Sequence, residues 1–136
     1  SYNIGTREKT QVCLPKMREG KLDGQYLACW VRQGPCDEEN SLKAIDRVDE
    51  LIRHIYRQVE MNGEQCAIAR TPDDLSRLKT EGKKAFYIGI ENGYGIGKDL
   101  KNITRFHDAG VTYITLCHTR KFFGHDCPLE RLKSLR

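Results

Sequence analysis

Apolar runs alternate with helix-period segments along this chain, and this alternation restricts its fold more than any other feature. The runs at residues 25–31, 85–90 and 111–117 are apolar on both faces, as strands covered on both sides are. Segments of helical pattern separate the runs, and strands joined by such crossovers usually pair in parallel. The chain is therefore predicted to be an α/β protein with a parallel sheet.

Helix signals are clear between the apolar runs. Between residues 41 and 59, apolar side chains recur at three- and four-residue steps until Gly63 ends the pattern. Thr71 and Pro72 then supply a helix cap and a proline at the first helical position. A third helical segment ends at Gly110. These signals predict one long and two short helices.

A short apolar run at residues 66–69 lies between the first two helices and is predicted to be a short strand. The resulting order, β-α-β-α-β-α-β with right-handed crossovers, fits two architectures. One is a doubly wound open sheet and the other is part of a (β/α)8 barrel. The pattern alone does not choose between them.

The composition of the chain limits the classes of partner that we expect it to bind. The chain has 136 residues, of which 38% are hydrophobic, and this is the size of one ordinary domain. No apolar run approaches the roughly 20 residues that a membrane-spanning helix needs. The formal charge is only +4, with acidic and basic residues interspersed except at the C-terminal end. We therefore expect no membrane span in this segment and no nucleic-acid partner.

The six cysteines raise the question of disulfides or a metal site. No Cys-x-x-Cys pair occurs, and Cys29, Cys66 and Cys117 lie inside apolar segments. Reduced, mostly buried thiols in a cytoplasm-like compartment are therefore predicted rather than a disulfide framework. No basic leader followed by an apolar stretch opens the chain, so no secretion signal is identified and the localisation stays open.

The glycine-rich segment at residues 89–98 first suggests a phosphate-binding loop at a helix start. However, Lys98 stands where a dinucleotide-binding fingerprint requires glycine. Asn92 stands where a P-loop requires glycine, and Asp99 stands where it requires Ser or Thr. The segment is therefore not interpreted as a nucleotide site.

Two polar residues directly follow apolar strands and form the candidate site. An ionised Glu91 is costly there unless a cation or hydrogen-bond donors meet it, although the amides of its own loop could satisfy it. His118 follows the last run, where a structural histidine is the alternative interpretation. If the two strands are parallel neighbours, both side chains lie at the carboxyl edge of the sheet, where such folds hold their active sites.

Four sequence motifs are VCLPKMREG at residues 12–20, GQY at 24–26, GIENG at 89–93 and YITLCH at 113–118. In order and spacing they resemble consecutive motifs of the membrane (renal) dipeptidase family. The resemblance covers roughly residues 10 to 120. We therefore expect a partial barrel domain over residues 1–120 and a tail, residues 121–136, that does not resemble the family.

The resemblance implies a (β/α)8 barrel with two zinc ions at its C-terminal mouth. It also implies hydrolysis of dipeptides, including some with a D-residue at the C-terminal side. Glu91 matches the carboxylate that bridges both metals in the family. His118 matches the histidine that binds the substrate and stabilises the oxyanion, and is thereby implied to be catalytic.

The chain also departs from the family pattern. The family's His-x-Asp metal pair precedes this region, and two metal histidines and a substrate-side aspartate follow it, so none is assigned. Cys13 stands where the family usually has aspartate, and Tyr94 where many members have histidine. In the tail, His125 and Cys127 could bind metal with His118, but such proximity is often fortuitous.

Three functions follow as hypotheses. The first is a zinc dipeptidase of which this chain is a truncated form, inactive or nearly so alone. The second is a non-catalytic, self-associating chain whose open half-barrel strands pair with another copy or another protein. The third is a thiol enzyme that uses Cys117 or Cys13, and only the cysteine count supports it.

Overall fold

The computed structural model describes residues 2–7 and 9–116, which form a parallel sheet with helices. Four helices, four strands and one 3-10 helix occur in these residues. In chain order they are α1 (Leu14–Glu19), β1 (Gly24–Trp30), α2 (Glu38–Glu60), β2 (Cys66–Ile68), α3 (Pro72–Thr80), β3 (Lys84–Glu91), the 3-10 helix (Gly93–Ile96), α4 (Lys101–Asp108) and β4 (Val111–Thr115). The predicted order of strands and helices is confirmed, and α1 is an additional element.

Strand β3 pairs with all three other strands. β2 pairs in parallel with its first half, where Cys66 lies opposite Lys84. β4 pairs in parallel with its second half, where Glu91 lies opposite Thr115. The prediction that the apolar runs at 85–90 and 111–117 are adjacent parallel strands is thus confirmed over the described residues.

Strand β1 lies along β3 as well. The amide of Ala85 donates to the carbonyl of Asp23 at 2.9 Å, and the amide of Val31 donates to the carbonyl of Glu91 at 3.4 Å. Both strands advance together, so the pairing is parallel, and the parallel hydrogen-bond pattern places Trp30 opposite Glu91.

The strands differ in how many of their faces are buried. Residues 85–90 of β3 are all buried, as predicted for a strand covered on both faces. In β1, by contrast, Cys29 is fully buried, whereas Tyr26 and Trp30 are each 46% exposed. The described residues cover only one face of β1, so the prediction of two buried faces is wrong for this strand.

The chain divides into two compact units. The first comprises residues up to Leu27 together with Arg53–Tyr87. The second comprises Ala28–Ile52 together with the described residues from Ile88 onward. In the part of the chain that the structure describes, no helix is both long and apolar enough to cross a membrane.

In the first unit, buried amide side chains of α2 and of the turn that follows it hold the N-terminal segment. The Oε1 of Gln58 accepts from the amide of Ile4 at 2.9 Å, and its Nε2 donates to the carbonyl of Tyr2 at 3.0 Å. One turn later, the Nδ2 of Asn62 donates to the Oδ1 of Asn3 at 3.0 Å. These bonds give backbone groups that lie outside the sheet the partners that burial requires.

Helix α3, also in the first unit, begins with the predicted cap. The Oγ1 of Thr71 accepts from the amide of Asp74, and the carboxylate of Asp74 accepts from the amide of Thr71. Hydrogen bonds from the amides of Arg70 and Thr71 hold the pKa of Asp74 well below its usual range. The capping box therefore fixes where the helix begins.

In the second unit, α4 buries one face and exposes the other. Phe106 is fully buried, while the guanidinium of Arg105 lies 4.4 Å from the centre of that ring. Arg105 also donates to the carboxylate of Asp49 at 2.8 Å. The apolar spacing that predicted this helix thus corresponds to its buried face.

We predict that Gln58→Ala lowers the free energy of unfolding by about 1–3 kcal/mol, because it leaves the buried Ile4 amide without its acceptor. Urea denaturation monitored by circular dichroism measures the loss. Gln33→Ala is the control, since the bonds of this side chain to described residues go to near neighbours in sequence, Gly34 and Cys36. Equal losses in the two variants would contradict this account of the N-terminal segment.

Candidate functional site

Glu91 is the last residue of β3 and lies at the carboxyl edge of the sheet. It is half-buried, with Trp30 opposite on β1 and Thr115 opposite on β4. Parallel pairing brings the carboxyl ends of all three strands to this edge. The structure therefore places Glu91 where active sites of α/β folds lie, as the sequence predicted.

The sheet face that carries Glu91 also carries exposed aromatic rings. Alternate residues of a strand share a face, so Gly89 lies on the same face as Glu91. Gly89 is opposite Tyr113, and a Cβ built on Gly89 would lie only 2.0 Å from the Cε1 of that tyrosine. The ring of Tyr113 therefore lies across Gly89, and a side chain at position 89 would displace it.

A bulge in β4 accompanies this arrangement. Ile88 pairs with Val111, whereas Gly89 pairs with Tyr113, so Thr112 is the extra residue. The Oγ1 of Thr112 donates to the carbonyl of Ile88 at 3.2 Å. Bulges are common beside active sites because they change the direction of a side chain. Here the bulge brings Tyr113 onto the face that carries Glu91.

Asn92 makes the turn that follows Glu91. Its φ is +88°, a left-handed conformation that asparagine tolerates better than most residues. Its Oδ1 accepts from the amide of Tyr94 at 3.1 Å, and its Nδ2 donates to the carbonyl of Val31 at 3.1 Å. The hydroxyl of Tyr94 donates to the carbonyl of Pro35 at 2.7 Å. The turn is therefore bound to the loop that follows β1.

Sequence reasoning did not identify these roles of Asn92 and Tyr94. An asparagine beside glycine in a turn was the available signal for Asn92. The bond from Tyr94 joins residues 59 positions apart and has no local signature.

The same turn uses backbone amides of the glycine-rich segment. The amide of Gly93 donates to the carbonyl of Leu116, that of Gly95 to Asn92, and that of Gly97 to Tyr94. An anion held at a helix start needs free amides, and these three are bonded within the protein.

The other half of the predicted site, His118, lies outside the described residues, as do Cys117, His125 and Cys127. The last described residue is Leu116, whose carbonyl accepts from the amide of Gly93 at 3.3 Å. The chain therefore reaches position 116 beside the turn that follows Glu91. The placement of His118 at this edge stays a prediction.

The cysteines in the described part of the chain are free thiols, in agreement with the prediction. Burial raises the pKa of Cys29 to about 12 and that of Cys66 to about 11. Neutral thiols of this kind are poor nucleophiles. Cys13 is completely buried, so a substrate has no access to it. Among the described residues, only Cys36 is an exposed thiol.

The described residues do not by themselves fit a metal centre. Within residues 2–7 and 9–116, no group of three or more His, Cys, Asp or Glu side chains could hold a metal ion. A zinc site needs three or four protein ligands, and Glu91 could supply only one of them. Any metal at this edge would need further ligands from elsewhere.

Comparison with known proteins identifies a family and its fold. The sequence profile described as Membrane dipeptidase (Peptidase family M19) matches residues 1–126. A dipeptidase of Aspergillus terreus, ataJ, is 26% identical over 125 residues, which are 89% of this chain and 30% of that protein. The chain thus spans about 30% of the length of this relative.

Solved structures agree on the fold. The probable dipeptidase PvdM of Pseudomonas aeruginosa superposes with a TM-score of 0.77 at 24% identity, over 86% of this chain and 30% of that one. A metallopeptidase of Rhodobacter sphaeroides superposes with a TM-score of 0.73 at 18% identity, over 84% and 38% of the two chains. The chain is therefore part of a (β/α)8 barrel, and the doubly wound sheet is excluded.

We predict that Gly89→Ala destabilises the protein by about 1–3 kcal/mol, because the new methyl group overlaps the Tyr113 ring. The same substitution in a Tyr113→Ala background should cost much less, since the obstructing ring is gone. Urea denaturation of the unsubstituted protein, the two single variants and the double variant gives the coupling free energy between positions 89 and 113. Gly63→Ala serves as the control, because its Cβ would lie no closer than 3.5 Å to another atom. An identical loss in both backgrounds would contradict the placement of the ring.

Proposed function

Because the chain belongs to the membrane dipeptidase family, we propose that it forms part of a metal-dependent dipeptidase in which Glu91 is a metal ligand. The observation that carries this proposal is the position of Glu91. It ends the strand that pairs with β1 and β4, at the carboxyl edge where barrel enzymes hold their catalytic groups. A half-buried carboxylate at such an edge is a suitable ligand for a divalent cation.

The proposed metal is zinc, and Glu91 would help to hold two ions. When bound, they would supply a hydroxide from water at neutral pH. His118 is proposed to bind the substrate and to donate a hydrogen bond to the oxyanion. The remaining ligands would come from residues beyond those that the structure describes. Glu91 belongs to no group of three or more possible metal ligands among the described residues, which supports a shared site rather than a complete one.

The proposed substrates are dipeptides, including some with a D-residue at the C-terminal side. The crystal structure of the Rhodobacter sphaeroides metallopeptidase is liganded with a phosphinate mimic of the dipeptide L-Ala-D-Ala. A protein with this fold therefore binds a mimic of such a dipeptide. In the present chain, the exposed aromatic face beside Glu91 offers apolar surface for small side chains.

A second candidate function is self-association without catalysis. In the second unit, a cavity of about 320 Å³ opens between α4 and β4. Apolar side chains line it, among them Ile96, Leu100, Ile103, Ile114 and Leu116. Leu116 is 55% exposed. An apolar groove beside a strand favours contact with another chain, and this supports the second hypothesis.

We predict that Glu91→Gln, in a form of the protein long enough to contain the family's other ligands, binds far less zinc. A neutral amide bridges two cations poorly, while its size preserves the fold. Elemental analysis of dialysed protein measures the metal content. Glu64→Gln is the control, because Glu64 is exposed and lies outside the site. Unchanged zinc stoichiometry in the Glu91 variant would contradict the proposed role.

We further predict that the 136-residue chain alone shows no dipeptidase turnover and self-associates. Residues 2–7 and 9–116 offer too few ligands to hold two ions, and an apolar groove between α4 and β4 is left open. A zinc-supplemented dipeptide assay and size-exclusion chromatography with light scattering test the two parts. Metal-dependent turnover would mean that the tail supplies ligands, and a monodisperse monomer would contradict self-association.

A further inference from the structure

A second cavity of the second unit lies at the carboxyl end of β1 and has a volume of about 370 Å³. The loop after β1, the first turns of α2 and Tyr94 form its walls. Its polar and aromatic lining residues include Trp30, Arg32, Asn40, Lys43, Arg47 and Tyr94. Three cationic side chains thus face one cavity, an arrangement that favours an anionic ligand.

The charges of this cavity are only partly balanced. Lys43 pairs with Glu39 at 2.6 Å, and Arg47 pairs with Glu50 at 2.5 Å. In both pairs every side chain is more than half exposed, so the pairs are weak and another anion can compete for the cations. Of the three cations that line the cavity, Arg32 alone has no ion-pair partner within residues 2–7 and 9–116.

The loop after β1, which forms one wall of the cavity, is held in place by two hydrogen bonds. Asn92 donates to the carbonyl of Val31, and Tyr94 donates to the carbonyl of Pro35, so both ends of the loop are held. The Tyr94 ring packs against Gly34, where a Cβ would lie only 2.9 Å from the tyrosine hydroxyl. A preformed site loses little conformational entropy when it binds a ligand.

The cavity lies beside the proposed catalytic edge. Trp30 lines the cavity and is opposite Glu91 in the sheet. Neighbouring strands are about 4.8 Å apart, which is within the length of one amino-acid side chain. A dipeptide that reacts near Glu91 could therefore extend a side chain past Trp30 to Arg32.

We propose that this cavity binds the side-chain carboxylate of an acidic residue in the dipeptide, with Arg32 as its main partner. A guanidinium can hold a carboxylate through two parallel hydrogen bonds, and Lys43 and Arg47 add positive charge. Trp30 and Tyr94 offer apolar surface to the methylene groups. The inference rests on the proposed dipeptidase function, for which it names a substrate class.

The experiment uses the only tryptophan of the chain, Trp30, as the reporter. Intrinsic fluorescence of the 136-residue chain is recorded during titration with the dipeptides Ala-Glu and Ala-Gln, without added metal. We expect both dipeptides to change the fluorescence in a saturable way, with Ala-Glu reaching half-saturation at a concentration on the order of tenfold lower than Ala-Gln. The reason is that charge-assisted hydrogen bonds are stronger than neutral ones. Arg32→Gln should remove this difference, and Arg57→Gln, an exposed arginine outside the cavity, should retain it.

Several results would overturn the inference. They are an equal response to both dipeptides, no response to either, and a preference for Ala-Glu that persists in Arg32→Gln. If inorganic phosphate changes the fluorescence at the same concentration as Ala-Glu does, the cavity is a general anion site, and this result would also overturn the inference. Circular dichroism confirms that Arg32→Gln is folded, and Arg32→Lys should keep part of the preference.

Because this titration needs neither metal nor turnover, its failure leaves the metal proposal for Glu91 untouched. If the metal proposal for Glu91 is wrong, the Glu91→Gln variant will contain as much zinc as the unsubstituted protein, whatever the fluorescence titration shows.

Discussion

The parallel pairing of β3 with its neighbours is the constraint on which the other features depend. β3 has its residues 85–90 buried, and its backbone groups find their partners in β1, β2 and β4. Unpaired backbone groups in such surroundings would be costly, so the strand cannot be displaced without loss of the sheet. Parallel pairing also brings the carboxyl ends of β1, β3 and β4 to one edge, where Glu91 and Trp30 lie side by side.

Polar side chains continue the hydrogen bonding where the strands end. Asn92 and Tyr94 bind the loop after β1 in the second unit, and Gln58 binds the N-terminal segment in the first. Each replaces a backbone partner that regular structure does not supply. In the second unit, the bonds of Asn92 and Tyr94 also hold the loop that forms one wall of the cavity around Arg32. The same bonds therefore stabilise the turn and shape the cavity.

The chemistry proposed here depends on ligands in addition to Glu91. Glu91 is one carboxylate among aromatic residues, and one carboxylate does not hold a metal ion unaided. Its position suits a ligand that is completed by residues from other strands of a barrel, as membership of the dipeptidase family implies. The buried thiols, by contrast, have raised pKa values and offer no alternative nucleophile at Cys29 or Cys66.

Sequence by itself determined the four strands, the helices between them, the helix cap at Thr71 and the place of Glu91 at a strand end. Apolar spacing and cap chemistry are local and can be read from short windows. It missed α1 and could not choose the barrel without the family resemblance. Only the tertiary structure decided that Trp30 lies opposite Glu91, that Tyr113 covers Gly89, and that Tyr94 binds Pro35. These contacts depend on the register between segments far apart in the chain, and hydrophobic periodicity carries no information about that register.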